Sequence, residues 1–269
     1  KFEDSLSAIP CSSKLAYAVL LADAALTVAI VLKVPFTNID WESYMVEVDF
    51  VLAGQYDYQL ITSPNGPIAY PAGFCWFYAL LRSSGMAVPQ VQGLFCALYL
   101  GMMFVVHQIY RRAGAPLWVF VLCVFSKRVH SVFVLRFFND AVAQFFSYAA
   151  LLSFLQGRHV LSSLSYSFAV SMKMQPILLC PVVGLLLVAS GGWARALWCI
   201  AIMFGLQVFL ALPFLQANPA EYLRRAFGGP GDLQHAWSVN WRFLPEAIFT
   251  SKEFALLLLF VNIFLLAWF

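Results

Sequence analysis

What most constrains this chain is a recurrence of apolar runs of roughly 18 to 22 residues, each long enough as an α-helix to cross about 30 Å of hydrocarbon. Of 269 residues, 62% are hydrophobic and only 11% charged, which leaves too little polar surface to cover a water-soluble globule. The runs lack the strict alternation of membrane-barrel strands, so helices are the spanning element. The expected fold class is all-α, a polytopic helical membrane protein with one domain over residues 1–269. A net charge of +3 is no more than topology-setting basic residues supply, so no nucleic-acid partner is expected. The six cysteines, Cys11, Cys75, Cys96, Cys123, Cys180 and Cys199, show no CxxC or Cys/His spacing. They read as buried small hydrophobes, and neither a metal site nor a disulfide framework is expected.

The first span is Leu15 to Val34 and the second Val91 to Tyr110. Arg111 and Arg112 close the second span and mark its cytoplasmic end, which turns the intervening segment to the other side. A crossing by the short apolar run Pro71 to Leu81 would invert that assignment, so it is expected to lie as a helix on the non-cytoplasmic surface. Ala115 to Phe125 is the third span, which places Ser126 to Asp140 on that same surface. Ala141 to Leu155 returns to a cytoplasmic turn at Gln156 to His159. Val160 to Ser190 is too long for one upright span, and Pro176 cannot continue the backbone ladder, so two short helices are expected to meet at Lys173. A turn around Arg195 precedes the span Ala196 to Leu215, and a last apolar run occupies Phe254 to Phe269. Two large non-cytoplasmic loops carrying short helices result, at residues 36–90 and 216–252. Lys1 is not a Met and the last run has no basic flank, so the domain is expected to be incomplete at both ends.

Residues Phe36 to Tyr70 hold five carboxylates, Asp40, Glu42, Glu47, Asp49 and Asp57, and no Lys or Arg. If Asp40 to Asp49 is helical, Asp40, Tyr44 and Glu47 share one face while Glu42 and Asp49 lie on another. These acids either solvate a loop or perform chemistry beside the membrane. A charge at membrane depth costs about 2.5–3.5 kcal/mol on insertion scales, so each one demands a partner or a purpose. His130, Arg136, Asn139 and Asp140 form a second polar group, in which Asn139 and Asp140 could equally cap the helix starting at Ala141. Lys173 sits in the expected break, either lining a cavity or snorkelling to the interface. The second loop offers Arg224, Arg225, His235, Asn240, Trp241, Arg242 and Glu246; a guanidinium fork suits phosphate oxygens. Trp237 and Trp241 could stack on sugars or belong to an interfacial aromatic belt. Asp23, inside the first span, is better read as paired with a neighbouring helix than as catalytic.

Six blocks carry a family resemblance: KVPFTNIDWESYMVEV at Lys33 to Val48, GQYDY at Gly54 to Tyr58, GPIAYPAGF at Gly66 to Phe74, HSVFVLRFFND at His130 to Asp140, SMKMQP at Ser171 to Pro176, and SVNWRFLPE at Ser238 to Glu246. In this order the chain resembles the dolichyl-phosphate-mannose-dependent α-1,3-mannosyltransferases that extend the five-mannose lipid-linked N-glycan precursor. It departs from them in the polar turn before GPIAYP. The resemblance implies a type C glycosyltransferase-like fold in the endoplasmic reticulum membrane, multi-pass, with its site facing the lumen. It implies a mannosyl transfer with inversion from dolichyl phosphate mannose, a substrate, so no cofactor is expected. Asp40 matches the catalytic carboxylate, with Glu47 beside it. Arg136, Lys173, Arg224, Arg225 and Arg242 become candidate phosphate contacts, and Tyr58 and Trp241 candidate walls of the sugar site. His130, Asn139, Asp140, Asn240 and Glu246 complete the expected substrate-binding set. The implied partners are dolichol-linked donor and acceptor lipids and the membrane, with no obligate protein partner. Another dolichol-phosphate-sugar-dependent glycosyltransferase is the nearest alternative. A transporter is the alternative from another class, and it calls for charges in several spans and inverted-repeat symmetry that are not evident.

Overall fold

The first apolar run folds as α1, Lys14–Lys33, of which only Ala16, Asp23 and Thr27 are buried. Their spacing puts them on one stripe, flanked by partly buried Val19, Leu20 and Val31, and most other positions face outward, as a lipid-facing helix requires. The computed structural model describes residues 9–228, 235 and 241–268. In these the chain continues through α2 (Trp41–Leu52), a two-residue antiparallel hairpin of β1 (Thr62–Ser63) and β2 (Gly66–Pro67), α3 (Ala72–Ser83) and α4 (Val88–Ala113). Then come α5 (Leu117–Val124), α6 (Lys127–His130), a π-helical turn at Ser131–Leu135, α7 (Asn139–Leu155) and α8 (His159–Met172). A 3-10 turn at Gln175–Leu179 leads into α9 (Cys180–Ala217), followed by α10 (Pro219–Phe227), α11 (Glu246–Phe249) and α12 (Lys252–Trp268). The all-α expectation holds, with the hairpin as its one small addition among the described residues.

Three helical segments are long and apolar enough to span a membrane, Lys14–Lys33, Val88–Ala113 and Gln175–Ala217; a bent pair, Leu117–Val124 with Lys127–Leu135, makes a fourth. α7 and α12 have 17 residues each, the short end of spanning length. The break expected at Lys173 is present, since Lys173 is extended and ends α8. α9 also breaks, at Gly191 and Gly192. Gly192 has φ 72°, a left-handed conformation glycine adopts without steric cost, so the turn before Arg195 lies where expected.

Contacts between distant segments sort the loops into two ends. At one end, Cys11 N donates to Ala115 O over 3.1 Å and Leu117 N to Ile9 O over 2.8 Å. Arg195 reaches His159 there at 3.4 Å, so residues 9–13, 111–117, 156–159 and 190–195 are reached by successive turns of one end. At the other end, Thr37 N donates to Leu135 O over 2.9 Å, Trp76 Nε1 to Leu210 O over 2.7 Å and Asn218 Nδ2 to Asp57 over 3.1 Å. α3 is no loose surface helix, because Phe74, Cys75 and Tyr78 are wholly buried. A Cβ at Gly73 would overlap the Ser171 side chain, so glycine is what lets α3 seat against α8.

The third span departs from expectation. It does not end at Phe125; it bends by 45° around Ser126 and continues to Leu135. The charged Ser126–Arg128 stretch imitates a span end in the sequence, but His130 beyond it is 4% exposed. The cysteines also differ from a uniformly buried set: all six are free, yet Cys96 and Cys123 are half-buried and Cys180 is exposed.

Candidate active site

Asp40 precedes α2, and the helix carries its face onward as expected: Tyr44 and Glu47 are buried while Asp49 is exposed and pairs with Arg82 at 2.8 Å. Glu42 is held at the surface by Asn38. The hairpin then folds back over both inward acids. Asn65 Nδ2 donates to Asp40 Oδ1 over 3.0 Å, and Ser63 Oγ donates to Glu47 Oε1 over 3.0 Å. Two turn residues therefore address two different carboxyls.

Their environments separate them. Burial raises the Asp40 carboxyl above the ordinary aspartate range; the positive charge of Lys173 opposes this, the charge of Asp140 adds to it, and Tyr44 and Arg136 oppose it. Glu47 is only 3% exposed, and burial pushes its carboxyl up to about 8, with Ser63 opposing and Asp40 adding to the rise. At neutral pH Glu47 thus holds a proton, and its Oε2 has no partner among the described residues. A neutral carboxyl is a hydrogen-bond donor rather than a base. Asp40 is the group able to accept a proton.

The opposing wall comes from the turn between the π-helical segment and α7. Phe137 has φ 53°, a left-handed conformation costing a non-glycine residue about 1–2 kcal/mol. It is held there by packing on Phe36 with ring centroids 4.6 Å apart, and by Tyr78, whose hydroxyl donates to Phe137 O over 2.7 Å. The turn delivers Asp140 to Lys173, Nζ to Oδ2 2.6 Å, both side chains about one-third exposed. Arg136 lies over the Phe138 ring at 5.9 Å and its buried Nε has no partner among the described residues. The cap reading of this segment fails, because Phe138 occupies the N-cap position of α7.

Asp40, Glu47, Arg136, Asp140 and Lys173 are thus brought together, and three other expected contacts, Tyr58, Asn139 and His130, are not. Tyr58 is wholly buried and donates to Tyr70 O over 2.9 Å with Cys75 at 3.3 Å, so it is a core residue and not a sugar-site wall. Asn139 is 1% exposed, with its amide donating to Met172 O over 3.1 Å and its oxygen accepting from Tyr44; it ties α2 to α8 instead of facing a substrate. His130 sits inside the membrane region. Its Nδ1 donates to Ser126 O and its Nε2 meets Asp23 Oδ1 at 3.1 Å, where Tyr99 also donates to Asp23. Asp23 is ten residues, about 15 Å, below the end of α1, so this pair bolts the bent span to α1 away from Asp40. The pairing expected for Asp23 is therefore realised.

In the second loop Arg224 and Arg225 both bond Glu221, at 2.8 and 3.0 Å. Trp241 packs on Phe243 and Phe254, and among the described residues no hydrogen bond or ion pair joins Trp241, Arg242 or Glu246 to Asp40. His235 meets Leu244 O at 3.1 Å. Asn240 lies outside the described residues. No group of three or more His, Cys, Asp or Glu in the described residues is spaced to hold a metal ion. Asn65 and Ser63 are the contacts missed in the sequence, where a Ser-Pro-Asn-Gly turn signals only a tight reversal.

Known proteins are similar to this chain in sequence. A human protein described as a Dol-P-Man:Man(5)GlcNAc(2)-PP-Dol alpha-1,3-mannosyltransferase is 40% identical over 254 residues, 93% of this chain and 58% of its own length. An Arabidopsis thaliana protein of the same description is 40% identical over 256 residues, 94% of this chain and 58% of its own. One from Dictyostelium discoideum, described as a probable enzyme of that kind, is 32% identical over 289 residues, 95% of this chain and 65% of its own. The chain spans less than two thirds of the length of these relatives. No solved structure matches. The model of the ALG3 protein family matches residues 17–269, a stretch that takes in the Asp40 loop, the Asp140–Lys173 pair and the multi-pass helical frame holding them, so this chain belongs to the ALG3 family.

Proposed function

We propose that this chain carries the catalytic loop of an inverting mannosyltransferase. In this reading a β-linked mannose moves from dolichyl phosphate mannose, in α-1,3 linkage, to the five-mannose dolichol-pyrophosphate oligosaccharide. The observation that carries it is the Asp40 carboxylate, oriented by Asn65 and set in the field of Lys173 and Arg136, at the mouth of a helical membrane bundle. The acceptor hydroxyl attacks the mannose C1 as its proton passes to Asp40, and the bond from C1 to the phosphate oxygen breaks with its electron pair leaving on dolichyl phosphate. Phosphate is a good leaving group, so the step needs a base more than an acid. Cations near the departing charge stabilise it. Lys173 and Arg136 fill that role first, and Arg224, Arg225 and Arg242 serve the pyrophosphate or donor phosphate if the second loop closes over the site. Glu47, protonated and enclosed beside Ser63, supports the loop next to Asp40 without touching a sugar.

The basic residues Arg111, Arg112, Arg158 and Arg195 fall at the end opposite Asp40, which supports a luminal site in the endoplasmic reticulum membrane. Transfer of labelled mannose by the full-length protein tests the assignment. Asp40→Asn is expected to lose about 10²- to 10⁴-fold in rate; full activity of the correctly inserted variant overturns the base. Transfer to a later precursor but not to the five-mannose lipid overturns the acceptor. A cysteine placed at Gln59 is expected to be labelled from the luminal side only, and cytosolic labelling overturns the orientation.

A further inference from the structure

The end of the bundle opposite Asp40 holds a cleft that the reaction does not use. It has a volume of about 580 Å³ and is lined by Arg158, His159, Arg195, Leu161, Leu164 and Trp198, among others. It opens at the N-terminal end of α8, 14 residues or about 21 Å from Lys173 at the other end.

Three features give this cleft a ligand preference. First, no acid lines it: the sequence has no Asp or Glu between Asp140 and Glu221, and the Arg158 side chain makes no hydrogen bond among the described residues. Second, its donors are held in place. The Arg195 guanidinium donates to Ser190 O over 2.7 Å and occupies the space a Cβ would fill at Gly191. His159 is fixed edge-on against Phe154, centroids 5.3 Å apart. Because Arg195 can only donate, His159 Nε2 is the acceptor in their 3.4 Å contact, which leaves the proton on Nδ1. That buried Nδ1 has no partner among the described residues. Third, the cationic rim continues into exposed Leu161, Leu164 and Trp198, an apolar strip on the membrane-facing side.

We infer that this cleft binds the phosphate-bearing headgroup of an anionic phospholipid. The two guanidinium groups take the phosphate oxygens, and the acyl chains lie along Leu161, Leu164 and Trp198. Cations gathered at the membrane interface between helices are suited to anionic headgroups, and the planar guanidinium fork matches phosphate geometry. A soluble phosphate shares the polar half of this chemistry but gains nothing from the apolar strip.

The test uses the whole protein in nanodiscs of phosphatidylcholine, with or without added phosphatidylinositol, and reads retained lipid by native mass spectrometry. Wild type is expected to keep phosphatidylinositol selectively, and the Arg158→Gln, Arg195→Gln double variant to hold it roughly thirty-fold less well. The Arg158→Lys, Arg195→Lys variant keeps the charge and is expected to keep most of the binding. Equal retention by wild type and the glutamine variant overturns the site, as does equal retention of phosphatidylcholine. Full displacement of the lipid by inorganic phosphate overturns the lipid assignment. Should the double variant fail to fold, exposed Arg158→Gln alone decides, and undiminished retention there overturns the proposal.

Discussion

The two polar loops at the Asp40 end have similar sequence credentials and different structural standing. The first, residues 36–90, is tied to the bundle over long separations: Phe137 stacks on Phe36, Tyr78 on its way through the core bonds Phe137, and Asn65 reaches Asp40 25 residues away. The second, residues 216–252, is anchored at its start, where Asn218 donates to Asp57 and Tyr222 accepts from Ala72 N, but its described arginines and Trp241 find near partners. Arg224 and Arg225 share Glu221 within one helical turn, and Trp241 packs on its near neighbours Phe243 and Phe254. Function at a site needs groups fixed from several directions, because geometry held by one element alone drifts. The first loop meets that condition at Asp40 in the described residues, whereas the second is fixed to it only through Asn218 and Tyr222, away from its arginines.

The largest expected contrast is in packing. Phe137 is wholly buried, and Phe137→Ala should destabilise the protein by about 3–5 kcal/mol while releasing the turn that holds Asp140. Trp241 is 39% exposed, and Trp241→Ala should cost much less. Thermal unfolding of both variants in detergent checks the order; equal losses would erase the difference between the loops.

Glu47 gives the next effect, with a sign that can be worked out. Its folded pKa of about 8 stands above the 4.5 of an exposed glutamate, so the folded state binds a proton that the unfolded state releases. Stability is fully present below pH 4.5 and declines as pH rises toward 8, by about 1.4 kcal/mol per unit. Glu47→Gln removes that decline. Its stability should match wild type in acid and exceed it increasingly up to about pH 8, whereas a pH-independent difference would mean Glu47 is ionised in the fold.

Much of this arrangement could be read from the sequence, and the failures share a cause. The spans, the break before Pro176, the glycine turn and the inward face of Asp40, Tyr44 and Glu47 all follow from local rules, namely run length, missing backbone donors and helical spacing. His130, Tyr58 and Asn139 were misplaced because a polar side chain in a motif reads alike whether it faces a substrate or closes a core. Only the partner decides: Asp23 for His130, the Tyr70 carbonyl for Tyr58, Met172 and Tyr44 for Asn139. The bend at Ser126 was hidden for the same reason, since nothing local announces that the chain beyond Lys127 and Arg128 returns to bury His130. Asn65 shows the converse, an ordinary turn residue made important by a carboxylate 25 positions away.

A smaller effect separates the cations of the two regions. Lys173 lowers the pKa of Asp40, so Lys173→Met should move the acid limb of kcat/KM to higher pH as well as slow the reaction. Arg224 is engaged by Glu221, and Arg224→Met should leave that limb in place even if donor binding weakens. A limb shifted equally by both would place the second loop in direct contact with the base.

The smallest effect is the mirror image of Glu47. Hydrogen bonds from Arg224 and then Arg225 hold Glu221 down to about 2, below its ordinary 4.5. Its contribution is therefore present above pH 4.5 and lost as pH falls toward 2, the opposite of Glu47. Because Glu221 lies at a surface where water and salt screen the pair, Glu221→Gln should lower the thermal midpoint only slightly, and less in high salt. What it should change is charge availability, releasing the Arg225 guanidinium from its acid beside the membrane. If the second loop supplies phosphate contacts, that release should alter the KM for the donor lipid more than kcat. An unchanged KM would confine the phosphate chemistry to Lys173 and Arg136 and leave the second loop a structural role.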